Sequence, residues 1–109
     1  MAETLSLLQG TVDVLILKTL TWTPMHGYGL SQWIKDKTHG DLAIEDAALY
    51  QALHRLERKG WVESEWGVSD ANRRAKFYSI TRAGRTQLRA EVVAIRRYVA
   101  ALFKVLEPA

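Results

Sequence analysis

The apolar residues of this chain change their period twice, and that change restricts the fold more than any other feature. Up to Gly60 they recur at helical spacing, between Trp61 and Ile80 they alternate in two short runs, and from Arg82 to Leu106 the helical spacing returns. Spacings of three and four bury one side of a helix, whereas alternation buries one face of a strand. The order is therefore three helices, two strands and a last helix, within 109 residues, the length of a single domain.

Residues Thr4 to Leu20 carry apolar side chains around most of the helical circumference, with Thr4 placed as the N-cap. A helix this apolar needs neighbours on more than one side. Thr21-Trp22-Thr23-Pro24-Met25 stops it, because a proline disfavours helical geometry at the preceding residue and has no N–H to donate. A second helix is predicted over Gly27 to Lys37, closed by His39-Gly40, and a third from Glu45 or Asp46 to a left-handed cap at Gly60. Trp61 to Trp66 and Ala75 to Ile80 read as strands flanking a polar turn, Gly67 to Arg74; so small a hairpin is stable only when packed on the helices before it. Thr81 caps the last helix, Arg82 to Leu106.

This order is that of a mainly α fold with a small β-hairpin: a winged helix-turn-helix over residues 1–81, followed by a long C-terminal helix over residues 82–109. In such a fold the third helix enters the DNA major groove and the hairpin tip reaches neighbouring backbone.

Composition narrows the function classes. Apolar residues make up 48% and charged residues 25%, so a packed core is expected, and burial against a partner would help a chain this short. The absence of cysteine excludes disulfides, thiolate metal ligands and a thiol nucleophile. With no cysteine a cytoplasmic location is expected, and the apolar N-terminal segment, interrupted by Gln9, Asp13 and Lys18 and without a basic leader or a cleavage site, reads as neither a signal peptide nor a membrane span. His26, His39, His54 and the acids show no metal-ligand spacing, nucleophile motif or phosphate-binding loop; no catalytic site, metal or cofactor is expected.

Net charge is +3, and its distribution says more than its size. From Ala71 to Lys104 there are nine basic residues against one acid, Glu91. Three of them, Arg73, Arg74 and Lys76, fall within four residues at the hairpin tip, where they can neutralise phosphates or simply guard a sheet edge. On the third helix, Leu49, Ala52, Leu53 and Leu56 form an apolar stripe for the core, and Ala47, Gln51, His54 and Arg58 fall opposite, with Arg55 adjacent. That outward stripe contains no acid. It is either an ordinary solvated helix face or a surface for base edges and phosphates, for which Gln51, His54, Arg58 and Arg55 have suitable donors.

These segments resemble the PadR family of winged-helix transcriptional regulators, in its short form with one C-terminal dimerisation helix. The resemblance rests on Gly10 and Ile16-Leu17 in the first helix, on His26-Gly27-Tyr28-Gly29-Leu30, on Leu49-Tyr50-Gln51-Ala52-Leu53-His54-Arg55-Leu56-Glu57-Arg58-Lys59-Gly60, and on Lys76-Phe77-Tyr78-Ser79-Ile80-Thr81-Arg82-Ala83-Gly84-Arg85. It implies a homodimeric regulator of double-stranded operator DNA, usually a repressor and often released by a small aromatic or amphipathic effector, with Tyr28 and Tyr50 near the DNA. Tyr50 lies about 100° from Leu49, so its ring can pack while its hydroxyl meets a phosphate, or it can merely fill the core edge. Gln51 stands where the family usually has proline, and Glu45-Asp46 brings two carboxylates to the start of the third helix, favourable to the helix dipole but repelling phosphate.

In the last helix Leu88, Val92, Ile95, Val99, Leu102 and Leu106 form a heptad seam, which calls for a partner helix, with packing on its own domain as the other possibility. A twofold dimer would present two recognition helices to half-sites about one DNA turn apart, hence a near-palindromic operator. Among the aromatic residues, Tyr98 and Phe103 on this helix are the candidates for an effector cavity at the dimer seam, the rest reading mostly as core. A protein adaptor that keeps the winged shape without binding DNA is the rival reading.

Overall fold

The structure, a computed structural model, describes residues 10–107. Four helices and three strands run in the order α1 (Thr11–Thr19), β1 (Met25–His26), α2 (Gly27–Lys37), α3 (Asp46–Arg58), β2 (Val62–Val68), β3 (Arg74–Ile80) and α4 (Arg82–Leu106). The strands form one antiparallel sheet in the order β1-β3-β2.

Of the helix expected from Thr4, the described residues hold Thr11 onward, with Gly10 as the N-cap at φ 87°; Thr4 lies outside the described residues. Helix α1 buries Val14, Ile16, Leu17 and Thr19, and touches α2, α3 and α4, the several neighbours its apolar circumference requires. Thr19 is accommodated because its hydroxyl donates to the Leu15 carbonyl at 2.7 Å.

Both middle helices end in the same way. After α3, the Gly60 N–H donates to Glu57 and the Trp61 N–H to Leu56, each at 3.0 Å, with Gly60 left-handed at φ 77°. After α2, the corresponding donors are His39 to Asp36 (3.1 Å) and Gly40 to Lys35 (2.8 Å). These pairs satisfy carbonyls that a helix end leaves open, and the left-handed position is one that glycine takes without a Cβ penalty. At the end of α2 that position belongs to His39, at φ 53°.

The expected two-stranded hairpin is a three-stranded sheet. Met25 pairs with Tyr78 and His26 with Phe77, so two residues after Pro24 add an edge strand to β3. The hairpin is also longer than its alternation suggested: Gly67, Val68 and Arg74 are strand residues, and the turn narrows to 69–73. Ser69 closes it by donating its N–H to Arg73 at 2.8 Å, with Asn72 left-handed at φ 59°.

The core gathers Leu30 and Ile34 of α2, Leu49, Leu53 and Leu56 of α3, Val62 and Tyr78 of the sheet, and Leu88 of α4 around α1. Thr81 ties three elements together. Its hydroxyl donates to the Gly60 carbonyl at 2.7 Å and accepts the Gly84 N–H at 3.0 Å, while its own N–H donates to Trp61 at 3.0 Å. Beyond Leu88 and the partly buried Val92, α4 projects from the domain, and the molecule extends 55 Å along its longest axis. No helix of the described residues is long and apolar enough to cross a membrane.

Candidate nucleic-acid interface

A groove of about 830 Å³ lies between the start of α2, Tyr50 of α3 and the wing formed by β2, β3 and their turn. Its walls include Gly27, Tyr28, Tyr50, Trp66, Arg73, Arg74 and Lys76, and the buried Tyr78 closes its floor. Five of the side chains expected at DNA therefore converge on one concavity: Tyr28, Tyr50, Arg73, Arg74 and Lys76. Tyr28 is 68% exposed and Tyr50 50%, so both rings present much of their surface to solvent.

His26 sets the α2 wall. Its Nδ1 accepts the Gly29 N–H at 3.0 Å, capping the helix. Edge-on packing against Phe77, with ring centres 5.3 Å apart, joins this cap to the sheet. The Tyr78 phenol is held above the ordinary tyrosine value by its burial first, then by the charge of Glu57.

Helix α3 divides as its periodicity predicts. Leu49, Ala52, Leu53 and Leu56 are buried, while Ala47, Gln51, His54 and Arg58 are exposed. His54 follows Tyr50 by one helical turn, so this stripe continues from the groove wall along the helix. Arg55 is the exception among the expected DNA-facing residues. It turns toward α1, where its Nε lies 3.3 Å from Asp13 Oδ2 and a second guanidinium nitrogen bonds Oδ1. That hydrogen bond, opposed by burial and aided by the carboxylate charge, raises its pKa above the ordinary arginine value. The guanidinium is thus committed to holding α3 on α1.

The wing cations also differ. Lys76 Nζ lies 3.7 Å from Glu57 Oε1, and Glu57 Oε2 accepts the Ser64 hydroxyl at 2.6 Å, so Lys76 leans back on the domain. Arg73 and Arg74 are exposed, and neither enters an ion pair among the described residues. Trp66 is the groove residue that the sequence reading missed. It is 58% exposed on the wing, not in the core, and the Arg74 guanidinium lies 4.5 Å above its ring centre. The signal was available in the alternation Val62, Ser64, Trp66, which carries the inward face of β2 past the end of the helical core.

Of the six seam residues on α4, Leu88 belongs to the core of its own domain and Val92 packs against that core. Ile95, Val99, Leu102 and Leu106 are exposed. Tyr98 and Phe103 are likewise exposed on α4 and are not part of the groove. Among the described residues, no three His, Asp or Glu side chains converge as a metal site requires.

Comparison with known proteins agrees with this architecture. A transcriptional regulator from Clostridium thermocellum superimposes with a TM-score of 0.81 at 29% identity, covering 88% of this chain and 93% of its own. A PadR family regulator from Eggerthella lenta superimposes with a TM-score of 0.80 at 32% identity, covering 93% and 86%. The PadR of Bacillus subtilis, solved in complex with operator DNA, shares the fold with a TM-score of 0.67 at 18% identity, over 76% of this chain and 47% of its own. The sequence model of the transcriptional regulator PadR-like family matches residues 16–90, from the second half of α1 through α2, α3 and the wing to the first part of α4, and the chain belongs to that family.

Proposed function

We propose that this chain is a sequence-specific regulator that binds double-stranded operator DNA as a homodimer, represses transcription by occupying a near-palindromic site, and is released by a small aromatic effector. One observation carries the reading: the exposed, acid-free stripe Gln51, His54 and Arg58 adjoins a groove whose far wall holds Asp70 and the cations Arg73 and Arg74, neither of which has an ion pair among the described residues. A recognition helix in the major groove leaves the wing beside the flanking backbone, and cations there position the protein by neutralising phosphates. The operator complex of the Bacillus subtilis relative supports the same use of the shared fold.

The exposed half of α4 supports the dimer, since an apolar helix face projecting from a small domain marks a contact surface. In this arrangement residues 1–81 read DNA and residues 82–109 pair with a second copy, with the first two turns of α4 anchored in the DNA-reading core. Tyr98 and Phe103 border the pairing face, and an effector seated there would act on the spacing of the two recognition helices.

The test is a gel shift with the gene's own upstream DNA over a salt series, repeated with Arg73→Ala and Arg74→Ala combined. The wild type is expected to bind, with affinity falling steeply as salt rises, and the double variant to bind more weakly with a shallower salt dependence. Absence of any shift at about 50 mM salt would overturn the reading in favour of a protein adaptor.

A further inference from the structure

The wing holds a side-chain pair that the proposed DNA contact does not by itself require. Trp66 pairs across the strands with Lys76, and Val68 with Arg74. Directly opposed residues share a sheet face, as do residues two apart on one strand. Trp66, Arg74 and Lys76 therefore lie on the same face as Val62 and Tyr78, the face that lines the groove.

The two strand cations in this row are held differently. Lys76 lies 3.7 Å from the Glu57 carboxylate and 5.9 Å from the Tyr78 ring centre, anchored to the domain from both sides. Arg74 sits diagonally from Trp66 and stacks on it at 4.5 Å. An indole covers one flat side of a guanidinium and leaves its N–H edge open, and that edge is the part that bonds a phosphate. A free arginine must give up rotamer freedom to make such a contact, whereas one already lying on a ring has given up part of it beforehand.

We propose that Trp66 is a positioning residue for DNA binding: its ring holds Arg74 extended along the groove so that the guanidinium edge meets the DNA backbone already oriented. The proposal rests on the DNA-binding reading above. Trp66 acts through Arg74 and makes no base contact, so its removal weakens binding to every sequence alike.

The test uses the full chain and a duplex of its upstream DNA, titrated across a salt series, with thermal melting of each variant. The variants are Arg74→Ala, Trp66→Leu, which keeps bulk on the strand without a π face, Trp66→Phe, and Trp66→Leu combined with Arg74→Ala. Arg74→Ala is expected to weaken binding about tenfold and lower the salt exponent by about one. Trp66→Leu should reproduce most of that loss, Trp66→Phe should bind within about twofold of wild type, and the double variant should be no weaker than Arg74→Ala alone.

Losses that multiply in the double variant would overturn the proposal, as would wild-type binding by Trp66→Leu. If Trp66→Leu fails to fold, Trp66→Phe decides: a loss equal to that of Arg74→Ala overturns the proposal. Wild-type affinity in Arg74→Ala sinks the proposal and leaves the DNA reading standing. Failure of the unaltered protein to bind the duplex at any salt sinks both.

Discussion

Tyr50 lies across Gly27 so closely that a Cβ on Gly27 would stand 2.5 Å from the phenol oxygen and 2.7 Å from the carbon bearing it. The glycine at the start of α2 is there because a ring from α3 occupies the space a side chain would take. This contact fixes how far Tyr50 reaches into the groove.

Gly27→Ala is accordingly expected to push the Tyr50 ring out, at a stability cost of up to about 1 kcal/mol, because the far end of a half-exposed side chain can swing aside. DNA affinity falls roughly tenfold with the loss of one positioning contact. In a Tyr50→Ala background the same glycine change should cost much less stability, because the obstructing ring is gone. Urea unfolding and DNA titration of the single and double variants check this, and equal costs in both backgrounds would count against it.

Arg55 and Arg58 are close in sequence and are expected to behave differently. Arg55→Ala removes a two-point bond to Asp13 and should cost about 1 kcal/mol of stability, with the salt exponent of DNA binding unchanged. Arg58→Ala should leave stability within about 0.5 kcal/mol and lower the salt exponent by about one. A reduced exponent in Arg55→Ala would show that its guanidinium leaves Asp13 for DNA.

His39 occupies the left-handed position after α2, where a side chain is crowded by the backbone. His39→Gly is expected to raise stability by about 0.5–1 kcal/mol, read as a higher urea midpoint with an unchanged slope. The exposed His39 lies at the opposite end of α2 from the groove, so DNA affinity should not change. An unchanged or lower midpoint would mean that the unfolded-state entropy of glycine outweighs the relief.

The seam on α4 should separate into two behaviours. Leu88→Ala removes a core side chain and is expected to cost about 2–4 kcal/mol of stability. Leu102→Glu places a charge on the exposed half and should yield single subunits at roughly 10 μM in sedimentation, where the wild type is expected to sediment as a dimer. Dimers persisting in Leu102→Glu would remove this face from the interface.

Much of the fold was legible because its signals are local. The bounds of α2 and α4 follow from their own periodicity and punctuation, with Gly27 and Thr81 at their starts. The outward stripe of α3 followed from counting 100° per residue, and it is exposed as expected. What escaped depends on contacts between distant segments. Two residues, Met25 and His26, are too few to show a period and become a strand only because β3 offers its edge. Arg55 sits beside the outward stripe by geometry, and only the approach of Asp13, forty-two positions away, turns it inward. Trp66 reads as core by composition, yet the strand carries it beyond the helices that would have covered it.

The bonds at Thr81 join the start of α4 to the end of α3 and the start of β2, since Gly60, Trp61 and Gly84 all meet there. The long helix is in effect a lever seated in the joint between α3 and the wing. Any tilt of that lever about its seat has to carry the last turn of α3 and the first residues of β2 with it or break the three bonds at Thr81.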